Sequence, residues 1–424
     1  MIALLMASFA VAQILIEVPG RADLPVAVPL PQTPGGDPDG RAGEMWDALY
    51  HDLDMSGYFS LIDPNSFIEQ GKGVEPGSFS WDPWKMVNTT VLVKTRYLPP
   101  GHAACDPGGP RACGDLYLYY AATGELLLSK RFRADGRQPR AIGHAVAGAV
   151  VKAVTGRDAL FLGRIAAVGS SGGNKEIYLL DLDGRNAAPV TRNGSINLSP
   201  NVAADGRQIA WTSYRKGNAD VYVKDLPSGR TRIVSGITGV NISPEFTSDS
   251  TRLVVARTID TEIDLFLIDG KTGATIQQLT KGGGIDVSPD LGPGDQLLAF
   301  ASERSGGSQV YLRNMASGEV KRISFAGDYN GDPTISPDGT QVAFVSREAG
   351  GFDIYVADVD GRNLRRLTQG QGDNEDPAWS PDGMYLLFSS TRSGRSEIWV
   401  TTADGNHQTP VTRTGGWSQP KWLP

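Results

Sequence analysis

Across the second two-thirds of the chain, short apolar runs alternate with polar turn signals in a fixed order. One kind of run reads "QIAWTS", "RLVVAR", "LLAFAS", "QVAFVS" and "YLLFSS". The run that follows opens on a polar residue and carries an aliphatic–aromatic–aliphatic core, as in "DVYVKD", "DLFLID", "QVYLRN", "DIYVAD" and "EIWVTT". Runs this short between turn signals are strands rather than helices. Asp-Gly pairs separate them (Asp205-Gly206, Asp338-Gly339, Asp382-Gly383) and suit the left-handed backbone of a tight hairpin.

A longer period lies over the short one. Pro200, Pro244, Pro289, Pro333, Pro377 and Pro420 fall 44, 45, 44, 44 and 43 residues apart. A repeat of this length marks an array of four-stranded blades. Two residues beyond each proline stands an apolar side chain (Val202, Phe246, Leu291, Ile335, Trp379, Trp422), expected to pack between blades. The proline is expected to start the innermost strand, where a missing N–H is tolerated. The array opens and closes out of phase: "GRIAAVGSS" and "EIYLLD" begin at a second strand, while "QPKWLP" supplies only a first. Joining the two closes the ring and leaves only short blade edges exposed. Six anchors mean six blades.

The first third lacks this repeat. "LPVAVPLP" reads as a strand, and "GRAGEMWDALYHDLDMSG" as a helix with Met45, Trp46, Leu49 and Leu53 on one face and Gly57 as its stop. "WKMVNTTVLVKTRYL" and "LYLYYAATGELLLSKRF" read as three strands, and "QPRAIGHAVAGAVVKAVTG" as a small-residue helix closed by Gly156. The expected fold is an α/β N-terminal domain over residues 13–155, followed by an all-β six-bladed β-propeller over 156–424, closed by the C-terminal strand.

Composition changes this picture little. The 424 residues are 40% hydrophobic with a net charge of −7, and no basic cluster points to nucleic acid. The opening "MIALLMASFAVAQ" ends in Ala10-Val11-Ala12, the small-x-small pattern of a signal peptidase site, although no Lys or Arg precedes it. Residues 1–12 are read as an incomplete signal peptide, so the expected compartment is the periplasm. In an exported chain Cys105 and Cys113, which flank a Gly/Pro-rich turn, are expected to form a disulfide. Two cysteines and four scattered histidines make no recognisable metal-ligand set.

Candidate chemistry is thin. Gly169-Ser170-Ser171-Gly172-Gly173 spells a hydrolase nucleophile elbow, but that elbow needs a strand leading into a helix, and here it falls in a hairpin. No catalytic residue, cofactor or metal is assigned. The polar residues that precede the six prolines, Ser199, Ser243, Ser288, Asp332, Asp376 and Gln419, fall where one blade hands over to the next. They should gather around one mouth of the central channel, held extended by the following proline. The runs "DYNGDP" and "DNEDP" put the most carboxylate there, and Asp332, Asn374, Glu375 and Asp376 are taken as candidate residues of a binding face. These carboxylates could also hold Ca²⁺, yet no loop has the spacing of a calcium hand.

The α/β domain with "LPVAVPLP", the junction "VTGRDALFLGRIAAV" and six units of the "PAWSPDG" type together resemble the TolB family, periplasmic components of the Tol–Pal envelope system. The resemblance covers almost the whole chain. It implies a non-catalytic binding protein that takes the lipoprotein Pal on one propeller face and the C-terminal domain of TolA through the segment after signal cleavage. That segment here is Gln13, Ile14, Leu15, Ile16, Glu17 and Val18. It implies a role in outer-membrane constriction at cell division, exploited by some bacteriocins and phages. By position, the family's Pal-binding residues fall on Val240, Asn241, Ser243, Val287 and Ser288, with Val240 where relatives can carry histidine. Other readings are a propeller that binds a small ligand or sugar in its channel, with Trp417 placed to stack on it, and a peptidase-associated propeller.

Overall fold

The computed structural model describes residues 24–424 apart from 35, 71 and 349. The signal segment 1–12 and the segment Gln13–Val18 lie outside the described residues. The chain forms two compact units, Met1–Phe161 and Leu162–Pro424.

In the first unit a five-stranded sheet runs in the order 59–61, 24–27, 91–98, 111–120, 125–135. Leu24–Ala27 pairs in parallel with both of its neighbours, and the remaining pairs are antiparallel. Helices Arg41–Met55 and Pro139–Thr155 pack against each other. The first buries Met45, Leu49 and Leu53; Gly57 (φ 67°) follows it in the left-handed conformation that ends a helix. A side chain at Gly143 would meet the Met45 carbonyl at 2.3 Å, so a glycine is what lets these helices approach. Between them His144 Nδ1 lies 2.6 Å from Asp52 Oδ2, a buried polar pair that satisfies both groups. The segment expected to open a strand at Trp84 instead forms a short helix, Asp82–Met86, with Pro83 in its first turn, and the strand begins at Val91. Cys105 and Cys113 are disulfide-bonded.

The second unit is six four-stranded sheets. Blade 1 joins Trp417–Trp422 to Arg164–Ser171, Asn174–Asp181 and Ala188–Pro189, so the C-terminal strand closes the ring. The innermost strands of blades 2 to 6 are Asn197–Val202, Asn241–Phe246, Asp286–Leu291, Tyr329–Ile335 and Asn374–Trp379. Apolar side chains interlock between blades. Trp379 and Phe388 of blade 6, for example, share one buried cluster with Val345 and Ile354 of blade 5. Asp-Gly turns join the first two strands of blades 2, 5 and 6, with Gly206, Gly339 and Gly383 at φ 67°, 73° and 69°. Those turns stand at one end of the ring, and the handovers stand at the other.

Candidate functional site

The six residues before the anchor prolines are not extended. Ser199, Ser243, Ser288, Asp332, Asp376 and Gln419 all have φ between 46° and 54°. The prolines do not start their strands either; each innermost strand has already begun, and its pairing with the second strand shifts register across the proline. The local preference that proline imposes on its predecessor is overridden by a bulge, a place where proline is also tolerated. A left-handed residue other than glycine costs roughly 1–3 kcal/mol. Six at equivalent positions mark a conformation that the ring imposes.

The bulge frees the backbone at this position to bond sideways. Ser199 N–H donates to Gln419 Oε1 at 2.8 Å, and Gln419 N–H to Asp376 Oδ2 at 3.1 Å. Ser288 Oγ donates to Asp332 Oδ1 at 2.8 Å, and Ser389 Oγ to Asp376 Oδ2 at 2.7 Å. The first three of these bonds tie adjacent blades to each other around the mouth, and the last lies within blade 6. The six residues and their prolines line a cavity of about 90 Å³.

Below them lies a second tier that the sequence reading missed. The residues after the prolines, Asn201, Glu245, Asp290, Thr334, Ala378 and Lys421, line a further cavity of about 220 Å³ toward the Asp-Gly turns. Glu245 and Lys421 border both cavities. The signal was available: in a strand, residues i and i+2 share a face, so the position after each proline follows the position before it.

The channel holds four carboxylates against one ammonium. Lys421 Nζ reaches across from the closing strand to Asp290 Oδ1 at 3.8 Å. Burial disfavours its charge, but Asp290, Glu245, Asp332 and Asp376 together outweigh that and hold its pKa above the ordinary lysine value. Burial and the nearby Asp290 push Glu245 well above the usual carboxyl range, and Asn201 Nδ2 donates to it. Asp290 is raised by burial too, and it accepts from Ile335 N–H at 2.7 Å. At the mouth, burial and then Asp332 raise Asp376 to about 6; burial, then Asp376, Asp332 and Asp373, raise Glu375 to about 7. A group that brings positive charge or N–H donors to this mouth relieves that repulsion.

The expected face residues separate by depth. Ser243, Val287, Ser288, Asp332, Glu375 and Asp376 are half-buried, but Asn241 and Asn374 are fully buried at the start of their strands. Ser235 Oγ donates to Asn241 Oδ1 at 2.6 Å, while Asn374 Nδ2 donates to Asp353 Oδ1 at 3.0 Å and its Oδ1 accepts from Arg392 at 2.9 Å. These two amides hold the handover loops and present no side-chain surface to a partner.

The hydrolase-like motif has a structural reading. Ser170 sits in a hairpin strand, and a Cβ at Gly169 would meet the Tyr178 ring at 2.8 Å and Trp417 at 3.1 Å. Trp417 itself packs edge-on against Tyr178 and donates its N–H to Thr414 Oγ1 at 3.0 Å. Among the described residues no group of three or more His, Cys, Asp or Glu is placed to hold a metal ion together.

A closed propeller with a charged mouth, preceded by an α/β unit, is a scaffold in which a rigid ring presents loops at one end. Comparison with known proteins narrows the class. The family profile described as the TolB beta propeller domain matches residues 151–424, and that of the TolB amino-terminal domain matches residues 12–104. The chain belongs to the TolB family. It is 36% identical over 195 residues to a Tol-Pal system protein TolB of Geobacter sulfurreducens, covering 46% of this chain and 43% of that one. To the TolB of Syntrophotalea carbinolica it is 35% identical over 204 residues, covering 47% and 45%. In both, the match spans less than half of the relative's length. The crystal structure of TolB from Acinetobacter baumannii shares the fold, with a TM-score of 0.80, 22% identity, and coverage of 95% of this chain and 97% of that one.

Proposed function

We propose that this chain is a periplasmic, non-catalytic interaction component of the Tol–Pal system. On this reading it binds the soluble domain of Pal on the handover face of the propeller. It takes the C-terminal domain of TolA through Gln13–Val18, which adds to a sheet edge of that partner. Bacteriocins or phage proteins that enter through this system would compete for the same surfaces. The cellular role is support of outer-membrane integrity and of constriction at division.

The observation that carries the reading is the ring of six left-handed residues around an acidic mouth. Backbone strain repeated six times, with carboxylates held above their ordinary pKa, is the pattern of a site shaped for a partner. An interface of standard size buries about 1,200–2,000 Å² in total, so several blades would take part.

The test is a calorimetric titration of the mature chain with the Pal soluble domain of the same organism, beside Asp332→Asn/Asp376→Asn. Asparagine keeps the size of aspartate and tolerates the left-handed backbone. Affinity lost at an unchanged melting temperature supports the reading. Unchanged affinity moves Pal to another face, and no binding by the unaltered chain removes the Pal reading. A parallel titration with the TolA domain, with and without residues 13–18, tests the second partner.

A further inference from the structure

Four residues before each anchor proline the chain crosses the handover face. In ring order these residues are Ile196, Val240, Ile285 and Tyr329 at the starts of blades 2 to 5, then Asp373 for blade 6 and Gly416 for blade 1. The blade fold does not require an apolar residue there, because Asp and Gly fill the same position in the other two. The apolar choice is nonetheless made four times in succession, which makes the blade 2–5 arc of the rim richer in apolar side chains than the blade 6–1 arc, where Trp417 is the large apolar residue.

Two further side chains extend that arc. Ile237 is 46% exposed in the loop leading into blade 3, and Phe325 is 68% exposed in the loop leading into blade 5. Phe325 directly follows Ser324, at the end of an outer strand. The residues in the equivalent place of the other blades are Arg192, Gly236, Lys281, Gln369 and Arg413, so this aromatic is out of character for the repeat. The opposite end of the ring, with its Asp-Gly turns, exposes Leu162, Ile276 and Leu364, which stand singly at the edges of blades 1, 3 and 5. Apolar side chains gathered along one end of a propeller mark a candidate interaction surface.

The polar arc carries the carboxylates of the mouth: Asp373, Glu375 and Asp376 lie on it, and Asp332 faces them from blade 5. Two cations of this rim are engaged within their own blades, Arg304 with Asp286 at 2.8 Å and Arg347 with Asp328 at 3.0 Å, while Arg192, Lys281 and Arg413 are exposed on the handover loops. Glu375 accepts no hydrogen bond within the described residues and is half-buried.

We propose that the handover face docks a protein that lays an apolar ridge along the blade 2–5 arc and sets a lysine or arginine side chain over the Asp332–Glu375–Asp376 mouth. The proposal rests on the reading that Pal binds this face and gives the chemistry of the contact: apolar burial for affinity, a cation for register. Aromatic and aliphatic anchors of this kind carry most of an interface's energy, and truncating one typically weakens binding ten-fold or more.

The experiment titrates the Pal soluble domain against the unaltered chain, Ile285→Ser/Phe325→Ser, Glu375→Gln, and Leu364→Ser on the opposite end. The expected result is a loss of at least ten-fold for the double variant, a smaller loss for Glu375→Gln, and no change for Leu364→Ser. Raising the salt concentration should weaken binding by the unaltered chain more than by Glu375→Gln. Thermal melts of all variants report whether the fold is kept. If Pal binds the double variant as tightly as the unaltered chain, the apolar arc is not the contact and this inference fails, while the Pal reading stands. If Pal binds none of them, both fall.

Discussion

Replacing Lys421 by methionine removes the one cation at the channel waist and keeps its length. The ammonium lies 3.8 Å from Asp290 on the opposite side of the ring, and 31% of its side-chain surface stays open to the channel. An ion pair at that distance is worth about 4 kcal/mol at an effective dielectric near 20. Part of this is returned, because methionine carries no desolvation cost and because Asp290 and Glu245 can take up a proton once the ammonium is gone. The net loss at pH 8 should be about 2–3 kcal/mol, or roughly 4–10 °C in melting temperature for a unit of this size. Burial raises the pKa of both carboxyls, so a larger share of them carries a proton as the pH falls, and the loss should be smaller at pH 5 than at pH 8. Calorimetric melts at the two pH values measure both numbers. Equal losses at pH 5 and pH 8, or none at pH 8, would refute the view that Lys421 holds the closing strand by charge across the channel.

Glu375→Gln should stabilise the protein at pH 8. Burial raises the folded carboxyl from 4.5 to about 7, so its charging penalty is absent below about 4.5 and complete above about 7. The gain should therefore grow from pH 5 to pH 8 in a series of melts, and a gain of equal size at pH 4 would contradict it. Ser243→Val should cost about 1–2 kcal/mol in denaturant unfolding, since a β-branched side chain fits the left-handed region poorly, whereas Ser243→Gly should cost far less. Equal costs would mean that the ring does not impose its backbone. Cys105→Ser/Cys113→Ser opens a loop with a sequence separation of 8 and should lower stability by about 2–3 kcal/mol, read from calorimetric melts of the whole chain.

The ring was legible because its signals are local and repeated. A proline every 43–45 residues, an apolar residue two places on, and an Asp-Gly turn are each produced by a few neighbouring residues. Closure by "QPKWLP" followed from counting strands. The left-handed handover residues were not legible, because the rule for a residue before proline is a dipeptide preference and the bulge that overrides it arises from pairing with a second strand. Asn241 and Asn374 look like surface residues by type, yet the loops they brace are set by contacts distant in sequence. Lys421 and Asp290 lie 131 positions apart and meet only because the ring closes, so no local pattern announces the pair. The apolar arc is legible, but only after the six blades are aligned on their prolines.

The central claim is that the handover end of the propeller is where Pal binds. The most direct measurement places a photo-crosslinking amino acid at Ile285 on that end, or at Arg362 beside the Asp-Gly turns, in the full-length protein in living cells, and probes for adducts with Pal. The account predicts a Pal adduct from position 285 and none from position 362. An adduct from position 362 alone would contradict it.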